Sequence, residues 1–219
     1  MKRYAVVGLG SFGRNVVEQL FDEGKEVIAV DINEDAVRSC ALISDRAVVA
    51  DATDKDALRA LELGDIDMAV VSLGERLDVI TLVALHLKEM GVPYVAVKAI
   101  SEDHRKILDA IGIDEVIQPE KEAARRLGKR LALHNVSDVL PIVAGYVVVS
   151  MTATDRIVGR KIGSLESKNI QVVAIQHSGE SVPTLVPDDK KIIQTDDRLV
   201  ILGSNREISN FTKRYCKVS

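Results

Sequence analysis

Tyr4-Ala5-Val6-Val7-Gly8-Leu9-Gly10-Ser11-Phe12-Gly13 is the stretch on which the fold of this chain turns. A run of strand formers ends in three glycines spaced G-x-G-x-x-G, and a helical pattern of apolar residues begins at Ser11. A glycine triplet alone is a weak signal, because turns use glycine for backbone reasons. Here it follows a strand directly and opens a helix. Asp31 then closes the next strand, close to the spacing of about twenty residues expected of an acid that takes ribose hydroxyls. Gly8 permits the tight turn, Gly10 lets backbone amides approach a pyrophosphate, and Gly13 lets the helix pack close to the strand. The helix N-terminus supplies free N–H groups and a positive dipole end for phosphates. Asp31 would repel a 2′-phosphate, which argues against an NADP-type ligand.

Outward from that stretch the first half alternates strand and helix. The pattern predicts strands at 3–7, 27–30, 47–50, 68–72, 94–98 and 115–117, with helices at 11–23, 34–41, 54–62, 76–90 and 102–111. Six strands joined by five helical crossovers imply a parallel sheet covered on both faces. The expected fold class is α/β, a Rossmann-like doubly wound sheet followed by a small α+β domain.

Gln118-Pro119 marks a boundary, since proline disfavours helix before it and suits the first turn after it. A helix is expected at 120–134, with Ala124, Leu127 and Leu131 on one stripe and its basic residues forming a solvated face; Asn135-Val136-Ser137-Asp138 ends it. Beyond it the reading gives strands at 146–152, 172–176 and 198–202, a short helix near 164–168, a hairpin turn at 177–180 and a last helix at 205–213. The expected organisation is residues 1–118 as the nucleotide-binding domain, 119–136 as a linker helix and 137–219 as a C-terminal module.

Composition narrows the function. Aromatics are 3% of the 219 residues and Trp is absent, so the core is built from Val, Ile, Leu and Ala, as parallel sheets prefer. A net charge of −4 argues against a nucleic-acid partner. Cys40 and Cys216 have no metal spacing and suit a reducing cytosol. The apolar run at the N-terminus is too short for a signal peptide, and no stretch approaches the ~20 apolar residues of a membrane span.

With these residues read, the chain resembles the RCK (regulator of potassium conductance) family of bacterial Ktr/Trk potassium-uptake regulators. The likeness rests on the glycine stretch, Val27-Ile28-Ala29-Val30-Asp31-Ile32-Asn33, Ala50-Asp51-Ala52-Thr53, Val95-Ala96-Val97-Lys98-Ala99 and Gln118-Pro119-Glu120-Lys121. Gly159-Arg160-Lys161-Ile162-Gly163 and Asp196-Asp197-Arg198-Leu199-Val200-Ile201-Leu202-Gly203 resemble its C-terminal module. The resemblance implies an ATP/ADP-sensing subunit without a pore, cytoplasmic and peripheral on the membrane. It implies dimers that form an octameric ring beneath a KtrB/TrkH-like membrane potassium channel or transporter subunit. By matching positions, Gly8, Gly10, Ser11, Phe12 and Gly13 meet the phosphates, Asp31 and Asn33 the ribose, and Asp51, Ala52 and Thr53 the adenine. Gly74, Glu75 and Lys98 lie around the site, and Glu120 matches a glutamate associated with a divalent cation. Ktr relatives carry Arg where this chain has Ser11, a neutral hydroxyl in place of a fixed fork of donors, so NAD(H) stands beside ATP/ADP as a ligand. Some relatives bind cyclic di-AMP in the C-terminal module; Ile170 and Pro187 lie in comparable stretches and serve equally well as core and turn residues.

The alternative function is an NAD(H)-binding redox sensor or small oxidoreductase. Catalysis would need a proton donor, and none of the four histidines, His86, His104, His134 and His177, adjoins a convincing acid partner in sequence. The reading is therefore a switch and not an enzyme. The helix at 76–90 is apolar beyond one face, which suits either a subunit interface or burial by later elements of the chain.

Overall fold

A computed structural model describes residues 2–133 and 135–216; His134 lies outside the described residues. The chain forms two compact units, one up to Glu120 and one from Lys121 onward.

The first unit holds β1 (Arg3–Val7), α1 (Ser11–Asp22), β2 (Glu26–Asp31), α2 (Glu34–Cys40), β3 (Arg46–Val49) and α3 (Lys55–Ala60). It continues through β4 (Met68–Val71), α4 (Leu77–Glu89), β5 (Tyr94–Lys98), α5 (Glu102–Ala110) and β6 (Glu115–Ile117). The strands lie in the order β3-β2-β1-β4-β5-β6, and every neighbouring pair is parallel. The doubly wound sheet expected from the repeating strand–helix pattern is thus present. Alternate residues serve opposite faces: Ala5 and Val7 pack with Ile80, Val83 and Leu87 of α4 and Leu108 of α5, while Val6 packs with Val17 of α1 and Val37 of α2. Two covered faces explain why these strands read as continuous apolar runs. The order reverses between β1 and β4, which places a crevice at the C-terminal ends of those strands.

Side chains cap most helices. Asn33 opens α2, Asp54 opens α3 and Ser101 opens α5, each accepting from backbone N–H groups of the first turn. α1 starts at Gly10 without any side-chain cap, so its first amides keep their donor capacity.

The helix α6 (Pro119–Ala132) has no buried residue, and Leu127 and Leu131 on its apolar stripe are exposed. β7 (Val136–Val143), β8 (Tyr146–Thr152), β9 (Ile170–Gln176), β10 (Thr184–Leu185) and β11 (Arg198–Ser204) form an antiparallel sheet in the order β10-β9-β11-β8-β7. α7 (Asn205–Tyr215) buries Ile208, Phe211 and Tyr215 in that unit's core.

Two expectations are corrected here. The tetrapeptide Asn135–Asp138 is not only a helix terminus. Asn135 adopts φ +56, and Val136 then opens an edge strand that tolerates Pro141 because one side of an edge needs no N–H. The short helix expected near 164–168 is instead a single 3-10 turn at Ile162–Ser164. The backbone N–H groups of Ser167 and Ile170 donate to each other's carbonyls, turning the chain directly into β9.

Candidate functional site

The site is built at the C-terminal edge of the parallel sheet, where every strand delivers one piece. β1 delivers the glycine bend. Gly8 sits at φ +94, and a Cβ there would stand 2.3 Å from the Ser72 carbonyl oxygen. A Cβ on Gly13 would stand 1.9 Å from the Gly8 carbonyl oxygen. These two glycines are therefore required by packing within the protein. Gly10 differs, because a Cβ there would meet nothing within 4 Å. Its space opens outward, beside the uncapped amides of α1, where a phosphate can approach. Ser11 is exposed on the first turn of α1.

β2 delivers Asp31. One carboxylate oxygen accepts the Leu9 N–H at 2.6 Å and the other accepts the Asn33 N–H at 2.8 Å. The carboxylate thereby ties the glycine bend to the end of β2 and fixes its own orientation, with lone pairs left over for a diol. Asn33 was expected at the ribose; its side-chain oxygen is engaged in capping α2, accepting from Asp35 at 2.9 Å and Ala36 at 3.1 Å. After β3, Asp51 accepts both the Thr53 hydroxyl (2.7 Å) and the Thr53 N–H (2.9 Å). The hydroxyl bond foremost, then the amide bond, holds the Asp51 carboxyl below its ordinary pKa. Ala52 is buried in the core, so its side chain is not available to a ligand. Gly74 and Glu75 are exposed after β4 and make no polar side-chain contact with the other site residues.

β5 delivers Lys98, and the start of α6 delivers Glu120. Their charged atoms are 2.6 Å apart, with Lys98 largely buried and the Glu120 side chain two-thirds exposed. Lys98 also lies 5.9 Å from the centroid of the Phe12 ring on the glycine bend. The Lys98 hydrogen bond is the main reason that the Glu120 carboxyl lies below the ordinary range. A carboxyl with a lowered pKa keeps its partner at neutral pH and loses it as the pH falls through the lowered value. Lys98→Met should therefore move the Glu120 titration upward, read from its carboxyl chemical shift by NMR. An unmoved titration would show that the pair is not formed in solution.

Glu120 was also expected to hold a divalent cation. It stands paired with Lys98, and among the described residues no group of three His, Cys, Asp or Glu side chains converges on a metal position. This donor set does not fit a metal by itself.

Two features escaped the sequence reading. Gln118 is buried beside the site with its side-chain oxygen unpartnered. In the second unit, His177 Nδ1 lies 2.7 Å from Asp197, a fully buried carboxylate that also accepts the Gln194 N–H. That acid is twenty residues away in sequence, beyond the reach of any local pattern. Ile170 and Pro187, the residues considered for cyclic di-AMP, are both buried. An open groove of about 310 Å³ runs past Ile170, lined also by Tyr146, Glu166, Lys168 and Gln171.

Residues 4–119 match the model of the TrkA-N domain family. The chain is 36% identical over 216 residues to Ktr system potassium uptake protein C of Bacillus subtilis (strain 168), covering 97% of each chain. Among solved structures, the GsuK channel bound to NAD superposes with a TM-score of 0.66 at 12% identity, over all of this chain and 40% of the other. GsuK bound to ADP superposes at 0.51 with 16% identity, over 61% of this chain and 34% of the other. The chain thus spans less than half the length of these structures, and at such identities they bear on the fold alone.

Proposed function

This chain belongs to the TrkA-N domain family and is one of the Ktr potassium-uptake proteins, and from that premise we propose that it is the cytoplasmic, nucleotide-sensing regulatory subunit of a potassium-uptake system. The observation that carries the reading is the pairing of Asp31 with the glycine bend: a fixed carboxylate beside open, uncapped amides. That combination suits a ribose and a diphosphate held together. It would take ADP or ATP, with Lys98 placed to exchange Glu120 for a phosphate. The TrkA-N relatives act in potassium uptake by name, and no described helix is long and apolar enough to cross a membrane. In this reading the pore belongs to a separate membrane subunit.

Control requires that the nucleotide bind one conformation better than another. A tenfold preference is worth ~1.4 kcal/mol per site, and a ring of about eight coupled sites multiplies it. Thermal unfolding with ATP, ADP, NADH and cyclic di-AMP tests the ligand. A ligand at about 100 times its Kd adds ~2.7 kcal/mol. A larger gain with NADH than with ADP or ATP would favour the redox-sensor alternative, and no gain with any adenine compound would end the proposal.

Self-association is part of the reading. α4 buries Ile80, Val83, Ala84 and Leu87 against the sheet but leaves Leu82 and Leu85 about 40% exposed. Two leucines on the outer face of one helix suit contact with a second copy. Leu82→Asp/Leu85→Asp should reduce the native mass measured by light scattering while leaving nucleotide-dependent stabilisation in place. An unchanged mass would remove this face from the assembly.

A further inference from the structure

Two arginines of the second unit lie over a single aromatic ring, and a third is hydrogen-bonded to both. Tyr215, nearly buried at the end of α7, packs on Phe211 with ring centroids 4.9 Å apart. The Arg160 guanidinium lies 5.6 Å from the Tyr215 centroid and the Arg214 guanidinium 5.1 Å. Arg156 joins them: its Nη1 donates to the Arg214 carbonyl oxygen at 3.1 Å, and its own carbonyl accepts Arg160 Nε at 2.8 Å. These bonds orient the guanidinium groups without neutralising them, because both acceptors are uncharged carbonyls. Among the described residues none of the three has an acidic partner.

Helix capping does not account for the cluster. The last carbonyls of α7 are served by Arg156 and by the Thr154 hydroxyl, which donates to the Tyr215 carbonyl at 2.6 Å. Neither Arg160 nor the Arg214 side chain takes part in that cap. Both guanidinium groups lie over the Tyr215 ring, and among the described residues their terminal N–H groups donate to no other group of the chain. Like charges held together repel, and a multiply charged anion removes that cost while using the planar forks in pairs.

We propose that Arg156, Arg160 and Arg214 form a binding site for a small phosphate-bearing anion, built wholly from the second unit. The site recognises phosphate through side-chain forks, so its ligand needs no nucleoside, and it is independent of the glycine bend.

The test titrates the full chain with inorganic phosphate against chloride at matched ionic strength and reads the unfolding midpoint. The unmodified chain should gain about 3–6 °C at phosphate about ten times its dissociation constant. Arg160→Gln/Arg214→Gln should lose that gain while still unfolding cooperatively in chloride. Arg160→Lys/Arg214→Lys, which keeps the charge but not the fork, should keep less than about half of it, and this variant decides the matter if the glutamine pair does not fold. The absence of any gain over chloride in the unmodified chain overturns the site. A gain undiminished in the variants overturns it equally, since the phosphate would then be held elsewhere, as at the glycine bend.

Discussion

Gly13→Ala is expected to destabilise the first unit by about 3 kcal/mol or more and to lower its unfolding midpoint by about 10 °C. The added Cβ would lie 1.9 Å from the Gly8 carbonyl oxygen, a backbone atom with no rotamer to yield. Either α1 lifts from β1 or the bend itself shifts, and β1 lies in the interior of the sheet, flanked by β2 and β4. Gly10→Ala should behave in the opposite manner. Gly10 has φ −62 and ψ −177, which any residue adopts, and its Cβ direction is open. Stability should stay within about 0.5 kcal/mol of the parent, while nucleotide affinity falls by about 100-fold because the methyl group occupies the approach to the phosphates. Thermal unfolding and calorimetric titration of the two variants separate these roles. If Gly10→Ala binds ADP as the parent does, the phosphates do not pass over this bend.

Asp31→Ala should cost both stability and binding. It removes the acceptor of the N–H of Leu9, a buried residue, at about 1–3 kcal/mol. It also removes the ribose acceptors, so affinity should drop by about 100-fold or more. Asp31→Asn keeps one oxygen for one of the two amides and should recover much of the stability but little of the affinity. The split between the two readouts is the informative result. Equal ADP binding by Asp31→Asn and the parent would take the ribose away from this residue. In cells, the same variants should leave potassium uptake insensitive to nucleotide level.

Strand bounds were legible where continuous apolar runs lie inside the parallel sheet: 3–7 and 94–98 coincide with β1 and β5. They were not legible at the two edges of the antiparallel sheet. β10 has two residues, too few for a period to register, and β7 carries Pro141 immediately after a helix. The glycine bend and Asp31 could be read because local geometry alone demands them. A tight turn, a close helix approach and an acid at the end of the second strand are all stated within thirty residues of chain.

What the sequence determined by itself is the alternation of strands and helices, the bend and the acid, because backbone sterics and apolar periodicity act between near neighbours. Tertiary structure alone decided the pairings. The strand order and register bring Lys98 opposite Ile117 and so within reach of Glu120. The bend directs Leu9 N–H onto Asp31, and the antiparallel sheet sets His177 against Asp197. Such contacts join residues twenty or more positions apart, and their distances follow from how whole elements pack, which no local pattern encodes.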